Sequence, residues 1–284
     1  MAQFTNTARL TYNGTVINSN VATGEILEVL SGTKTAVLGT YARNDRVTYV
    51  VSVLNSGNTA VTGITLTDDL GAYSFGEQTL VPLTYVEGSA LLYINGALQP
   101  APTVTAGPPL TVGGITLPPQ SNLLLIYDAT ANGFAPLGEG AEIVNTATVT
   151  GTGISTPVTV SETVTPVDTV ELTITKSVEP TVVTENGVIT YTFVIQNVGS
   201  APADASAAIV IDDVFDPVLE GIAVTFNGAS WTEGVNYTYA ITEGEFATVA
   251  GQVTVPAATY TQDPVSGEWI ITPGVSVLTV SGTV

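Results

Sequence analysis

Along almost the whole chain, Val, Ile, Leu and Tyr alternate with Thr, Ser and Asn over segments of four to eight residues, bounded by Gly, Pro, Asn-Gly or Asp. Period-two alternation between turn residues is the pattern of strands with one buried face. It predicts strands at 47–54, 64–67, 90–94, 123–127, 143–150, 157–164 and 170–175, and two more at 4–12 and 16–22. Asn95-Gly96 and Asn227-Gly228 follow the matching segments ALLYI and AVTF and read as tight hairpin turns. No amphipathic helical pattern extends over ten residues. Short strands with regular turns predict an all-β protein made of antiparallel β-sandwiches of immunoglobulin-like type.

The pattern repeats at long range. FTNTARLTYNGTVINSNVATGEILEVLSGTK (4–34) has a longer relative in IVNTATVTGTGISTPVTVSETVTPVDTVELTITK (143–176), and VTYVVSVLNSGNTAVTGITLTDDL (47–70) is answered by ITYTFVIQNVGSAPADASAAIVIDDV (189–214). Lys34/Lys176, Tyr49/Tyr191, Asn55/Asn197 and Gly57/Gly199 are each separated by 142 residues. Solenoid repeats are shorter, so the period indicates two tandem domains. The expected division is an N-terminal strand pair at 1–24, a first sandwich at 25–166 and a second at 167–284.

The two repeats differ in completeness. The first ends with strands at 145–150 and 157–164; the second ends in SVLTVSGTV, which matches the former and stops, so it lacks a last strand. The strand pair at the N-terminus is surplus. A sandwich without an edge strand exposes unpaired backbone groups, and an isolated strand pair is marginally stable. Head-to-tail addition resolves both: Phe4, Ala8, Leu10 and Tyr12, one face of the first strand, would complete the second domain of the next copy, as in donor-strand complementation. Such a heterologous contact gives a filament unless its rotation closes. Folding back of the pair onto its own first domain is the alternative.

Composition narrows the chemistry. The chain has no Cys and no His, which removes thiol nucleophiles, disulfides, imidazole bases and ordinary zinc sites. Net charge is −20 and unevenly spread. Arg9, Lys34, Arg43 and Arg46 against Glu25, Glu28 and Asp45 leave the first 46 residues at +1, and 22 acids against Lys176 leave the rest at −21. Nucleic acid and anionic membranes are therefore not expected as partners. Solubility alone is one reading of this distribution; the alternative is a neutral-to-basic head that meets the acidic body of the next copy. No apolar run approaches the ~18 residues of a membrane-spanning helix, and MAQFTNTARL shows no secretory signal.

By the two-residue period, Lys176 is in phase with Leu172 and Ile174, Asp68 with Ile64 and Leu66, and Asn145 with Ile143, Ala147 and Val149, so each points into a core. A buried lysine is costly unless paired. Lys34, Asp68 and Asn145 resemble the set with which Gram-positive surface proteins form an autocatalytic Lys–Asn isopeptide bond; a buried ion pair explains the same residues. In the second domain Lys176 and Asp212 (or Asp213) keep their places, Ser276 stands at the asparagine position, and Asn6 of an incoming strand would supply the missing amide. Asp68-Asp69 and Asp212, Asp213 and Asp216 lack the spacing of a calcium loop, so no metal and no cofactor is expected. Trp231 and Trp269 read as packing residues, and Asn13-Gly-Thr and Asn236-Tyr-Thr as turn sequences that also fit glycosylation sequons.

Thr-Lys-Ser-Val-Glu-Pro (175–180), VITYTFVIQNVGSAPA, IDD and the NTATVTG closing the first repeat resemble a conserved repeat domain of bacterial and archaeal surface proteins, of unknown function. The resemblance covers nearly the whole chain and implies tandem immunoglobulin-type sandwiches on stalks, adhesins or layers; it supplies no catalytic residues. The reading is a non-enzymatic structural subunit whose partners are copies of itself, located outside the cell on a cell or spore surface. Assembly onto an endospore from the mother cell would need no secretion signal. The alternative is an adhesin-like module recognising glycan or protein through loops such as 97–119 and 228–252.

Overall fold

The computed structural model describes residues 2–138 and 140–284. It falls into two compact units, residues 1–135 with 142–165 and residues 136–141 with 166–284. Apart from one 3-10 turn at Ala205–Ala207, the regular elements among the described residues are strands, and their pairings are antiparallel.

Unit 1 opens with β1 (Ala2–Asn6), β2 (Arg9–Tyr12), β3 (Thr15–Asn18) and β4 (Ala22–Ile26). These form one long hairpin, β1 against β4 and β2 against β3, closed by Asn13-Gly14 in the left-handed conformation of a type I′ turn. Two continuous strands are expected at 4–12 and 16–22; instead each arm is interrupted. Arg9 faces Asn18 while Asn6 faces Ala22, so the second arm carries one extra residue, a bulge at 19–21. Ser19 Oγ takes the Ala8 N–H there at 2.9 Å, in place of a ladder bond. Almost every side chain of the hairpin is exposed, Phe4, Leu10 and Tyr12 among them.

The rest of unit 1 comprises β5 (Leu30–Ala36), β6 (Thr40–Tyr41), β7 (Arg46–Asn55), β8 (Val61–Asp68), β9 (Tyr73–Phe75), β10 (Gln78–Leu80), β11 (Leu83–Tyr85), β12 (Leu91–Ile94), β13 (Ala97–Leu98), β14 (Thr103–Thr105), β15 (Leu110–Leu117), β16 (Ser121–Ala131), β17 (Ile143–Thr150) and β18 (Val158–Pro166). One sheet runs β13-β12-β16-β7-β5, the other β14-β15-β8-β17-β18-β6. Their inner faces bury Tyr49, Val51, Val53, Leu123, Leu125 and Tyr127 from the first and Leu66, Leu110, Val112, Ala147 and Val149 from the second. Alternation of buried and partly exposed residues along β7 and β16 is the period-two signal made physical.

Unit 2 comprises β19 (Leu172–Glu179), β20 (Val188–Asn197), β21 (Asp212–Val214), β22 (Glu220–Phe226), β23 (Ala229–Ser230), β24 (Tyr237–Ala240), β25 (Glu245–Thr248), β26 (Thr259–Gln262), β27 (Trp269–Thr272) and β28 (Gly274–Thr283). Its larger sheet, β19-β20-β28-β22-β23, reproduces β5-β7-β16-β12-β13 strand for strand; its smaller sheet is β21-β25-β24, and β26 and β27 form a separate hairpin. Phe193, Phe215, Phe226, Phe246, Leu278 and Val280 are central to its core. The Asn-x-Gly motif shared by the repeats has one role in both. Asn55 Oδ1 accepts the Gly57 N–H at 2.9 Å and Asn197 Oδ1 the Gly199 N–H at 3.0 Å, while their Nδ2 groups donate to the carbonyls of Thr59 and Ala201.

One expectation is corrected. SVLTVSGTV lies in β28, which occupies the place of β16, beside β20 and β22, and not that of β17. The turn asparagines give the same alignment. Asn95 bonds Ser121 Oγ and the Asn122 N–H as Asn227 bonds Ser276 Oγ and the Val277 N–H, so Ser276 corresponds to Ser121. Unit 2 therefore has, among the described residues, no counterpart of either β17 or β18. Val-Thr alternation is common to β17, β18 and β28 but not to β16, and the β26–β27 hairpin separates β25 from β28 and hides the correspondence.

Candidate functional site

In unit 1 the strands bring Lys34 of β5, Asp68 of β8 and Asn145 of β17 into one buried cluster. Lys34 Nζ lies 2.6 Å from Asp68 Oδ2, and both side chains are sealed from solvent. The Tyr127 hydroxyl donates to the same oxygen at 2.5 Å, and Asp68 Oδ1 accepts the Leu70 N–H at 2.9 Å. Asn145 Nδ2 donates to the Tyr127 hydroxyl at 3.1 Å, while its Oδ1 is buried without a hydrogen bond. Tyr49 and Tyr127 stack at 5.6 Å, and Lys34 Nζ sits 4.9 Å from the Tyr49 ring centre.

Desolvation pushes Lys34 below the ordinary lysine range, opposed in part by the Asp68 charge. Burial pushes the Tyr49 and Tyr127 hydroxyls up. A lysine relieved of its proton is a nucleophile, and the Asn145 amide is linked to Asp68 through the Tyr127 hydroxyl. The two tyrosines were not singled out by the sequence as part of this cluster. Tyr49 was visible only as a repeat partner of Tyr191, and Tyr127 as one alternating strand residue among several.

Gly32 precedes Lys34 on the inward face because β18 crosses over it. A Cβ there would stand 3.0 Å from the Ser52 carbonyl oxygen of β7, 3.3 Å from Val158 and 3.4 Å from Val160. At the same place in unit 2 stands Ile174, 52% exposed, because no strand covers it.

Around Lys176 the same machinery lies open. Lys176 contacts Asp213 through Nζ and Oδ2 and rests 4.4 Å above the Tyr191 ring, which stacks on Phe215 at 5.0 Å. Its side chain is 39% exposed where that of Lys34 is fully covered. Asp213, not Asp212, is the counterpart of Asp68; Asp212 faces outward on β21. Ser276 is likewise absent from this site: buried on β28, its hydroxyl donates to the Thr254 carbonyl at 2.7 Å. Leu172 and Ile174 continue the exposed inward row, and β21 pairs, among the described residues, with β25 on one side only. Among the described residues, nothing in unit 2 stands where Asn145 stands in unit 1.

The remaining candidates have structural roles. Asp69 Oδ1 accepts the Gly71 and Thr146 N–H groups, and no cluster of three or more acids suited to a metal ion occurs among the described residues. Trp231 stacks on Phe226 at 4.9 Å. Residues 97–119, offered as a recognition loop, carry strands β13–β15, and 228–252 carry the short strands β23–β25 with turns between them. No helix among the described residues is long and apolar enough to cross a membrane.

No family model matches the chain, and no curated protein matches it. Solved structures of bacterial surface adhesins and pilins do. The collagen-binding domain of a Staphylococcus aureus adhesin is 14% identical over 49% of this chain and 99% of that one, with a TM-score of 0.30. The pilus backbone protein RrgB of Streptococcus pneumoniae is 9% identical over 86% of this chain and 55% of its own, at 0.35. The major pilin subunit of Bacillus cereus is 13% identical over 94% of this chain and 70% of its own, at 0.39. At scores this low, fold and function rest on the chain's own residues.

Proposed function

We propose that the chain is a non-enzymatic structural subunit that polymerises head to tail into a fibre of a cell or spore surface, the N-terminal hairpin of one copy filling the two-strand gap in unit 2 of the next. The observation that carries this is the gap itself: Leu172, Ile174 and Lys176 face inward yet stand exposed, at the positions that β17 and β18 cover in unit 1. The hairpin has the sequence of the absent strands. Phe4, Asn6, Ala8 and Leu10 match Ile143, Asn145, Ala147 and Val149, the buried face of β17. Full burial of each large apolar side chain contributes about 1.5–3 kcal/mol. Several of them on both partners offset an association cost of about 4–15 kcal/mol.

In this register Asn6 arrives beside Lys176 and Asp213, restoring the Lys–Asp–Asn arrangement of unit 1. The chemistry then available is the same at both sites. Lysine Nζ attacks asparagine Cγ, the Cγ–Nδ2 bond breaks, and Nδ2 leaves as ammonia with the proton released by Nζ, relayed by the aspartic acid. Lys34–Asn145 would close within unit 1 and Lys176–Asn6 between copies, each bond lowering the mass by one ammonia.

The test is electron microscopy and a boiling SDS gel on the full chain and on a chain lacking residues 1–24. Fibres from the full chain alone are expected, with an SDS-resistant ladder lost in Lys176→Ala. Monodisperse monomers from both chains would refute strand donation.

A further inference from the structure

Outside the buried face, the joint brings together two charges that unit 1 lacks. In unit 1 the row of outward residues crossing the sheet at this level is Thr159, Thr148, Thr67 and Thr111, each opposite the next and all uncharged. Ala147 stands opposite Asp68 and Thr148 opposite Thr67. Transferring that register to the joint, with Ala8 for Ala147 and Asp213 for Asp68, sets Arg9 opposite Asp212. The row becomes Asn18, Arg9, Asp212 and Ala247, since Arg9 faces Asn18 in the hairpin and Asp212 faces Ala247 in unit 2.

Arg9 is the one cation of residues 2–26, and Asp212 belongs to a stretch, 167–284, with 14 acids and a single lysine. Both side chains are exposed, and neither has a hydrogen-bond or ion-pair partner among the described residues. Directly opposed residues on one face of an antiparallel pair have Cβ atoms about 4.5–5.5 Å apart, where opposite charges attract and like charges repel.

We propose that Arg9 of one copy and Asp212 of the next form a cross-strand charge pair that selects the partner and fixes the register of the joint. The inference rests on the strand-complementation reading. A slip of one residue would move Arg9 to the buried face and Ala8 to the outer one, and a slip of two would set Arg9 against Val210 or Val214. The acidic surface of unit 2 attracts the hairpin's only cation, so the pair acts mainly on the rate of joining and weakens with added salt.

The test uses full chains carrying Arg9→Asp or Asp212→Arg, followed by light scattering and microscopy at low and high salt. Each variant alone sets like charges face to face and is expected to elongate about tenfold more slowly than the unmutated chain at low salt, the difference shrinking at high salt. Mixed in equal amounts, the two variants restore the rate, because the acidic residue 9 of one meets the basic residue 212 of the other in one joint and Arg9 meets Asp212 in the next, and the fibres alternate in composition. Single variants that elongate at the unmutated rate, or a mixture no faster than either alone, would overturn the charge pair. Fibres that still depend on residues 1–24 would then leave strand donation standing. Absence of fibres from the unmutated chain would overturn both.

Discussion

Lys34 and Lys176 occupy the same place in the two units, and what covers them makes the difference. While the Lys34 amine is free it is sealed against Asp68, and removal of one partner leaves a buried charge, so Lys34→Ala or Asp68→Ala is expected to cost that form about 3–5 kcal/mol of unit 1 stability. In the monomer Lys176→Ala is expected to cost under about 1 kcal/mol, because its pair with Asp213 is open to water. Both follow from urea unfolding, read by circular dichroism for unit 1 and by tryptophan fluorescence for unit 2, which holds both Trp231 and Trp269. Equal costs would contradict the difference in burial.

The buried tyrosines add a pH dependence. Tyr41, Tyr49 and Tyr127 are raised by burial, whereas the unfolded chain loses these protons near pH ~10. Above that pH the folded state holds more protons than the unfolded one, so stability falls as pH rises. Lys34 acts with the opposite sign. As a free amine, lowered in the folded state, it adds stability with rising pH only up to the ordinary lysine value of ~10.4, then stops; joined to Asn145 it contributes nothing. Unit 1 is therefore expected to weaken above pH ~10 by up to about 1.4 kcal/mol per pH unit for each tyrosine, and Tyr127→Phe to remove one such share. A urea midpoint that stays flat from neutrality to pH ~11 would contradict this.

At the scale of elements, the strands and the Asn-Gly turns were legible because alternation and left-handed glycine or asparagine are local signals. The inward phase of Lys176, Asp68 and Asn145 followed from the same period. Other features depend on what lies across the sheet. The bulge at 19–21 arises where Ser19 captures the Ala8 N–H, and nothing in the alternation of either arm marks it. Whether Asp212 or Asp213 faces Lys176 depends on the phase of a strand only three residues long. The β28 assignment failed because Ser-Val-Leu-Thr-Val resembles β17 in its Val-Thr alternation, and only pairing with β20 and β22 places it with β16. The period-two logic still predicts a contrast within the hairpin. Leu10→Asp, on the face matching Val149, is expected to abolish fibres, whereas Thr11→Asp, one residue along and facing outward, reduces them far less. Equal loss, scored by pelleting, would contradict that orientation.

For the whole molecule, the central claim is that the surplus at the N-terminus and the gap in unit 2 are one interface shared between copies. Charge agrees with this, the hairpin being neutral overall and unit 2 strongly acidic. The chain's lack of cysteine permits a direct measurement, since any disulfide formed is an engineered one. In the inferred register Thr11 stands opposite Val210, as Thr150 stands opposite Thr65 in unit 1, and both side chains face outward. The chain carrying Thr11→Cys and Val210→Cys should, on mild oxidation, give a ladder of disulfide-linked multimers on a non-reducing gel, collapsing to monomer on reduction. Only a disulfide within the monomer, or no disulfide at all, would contradict the account.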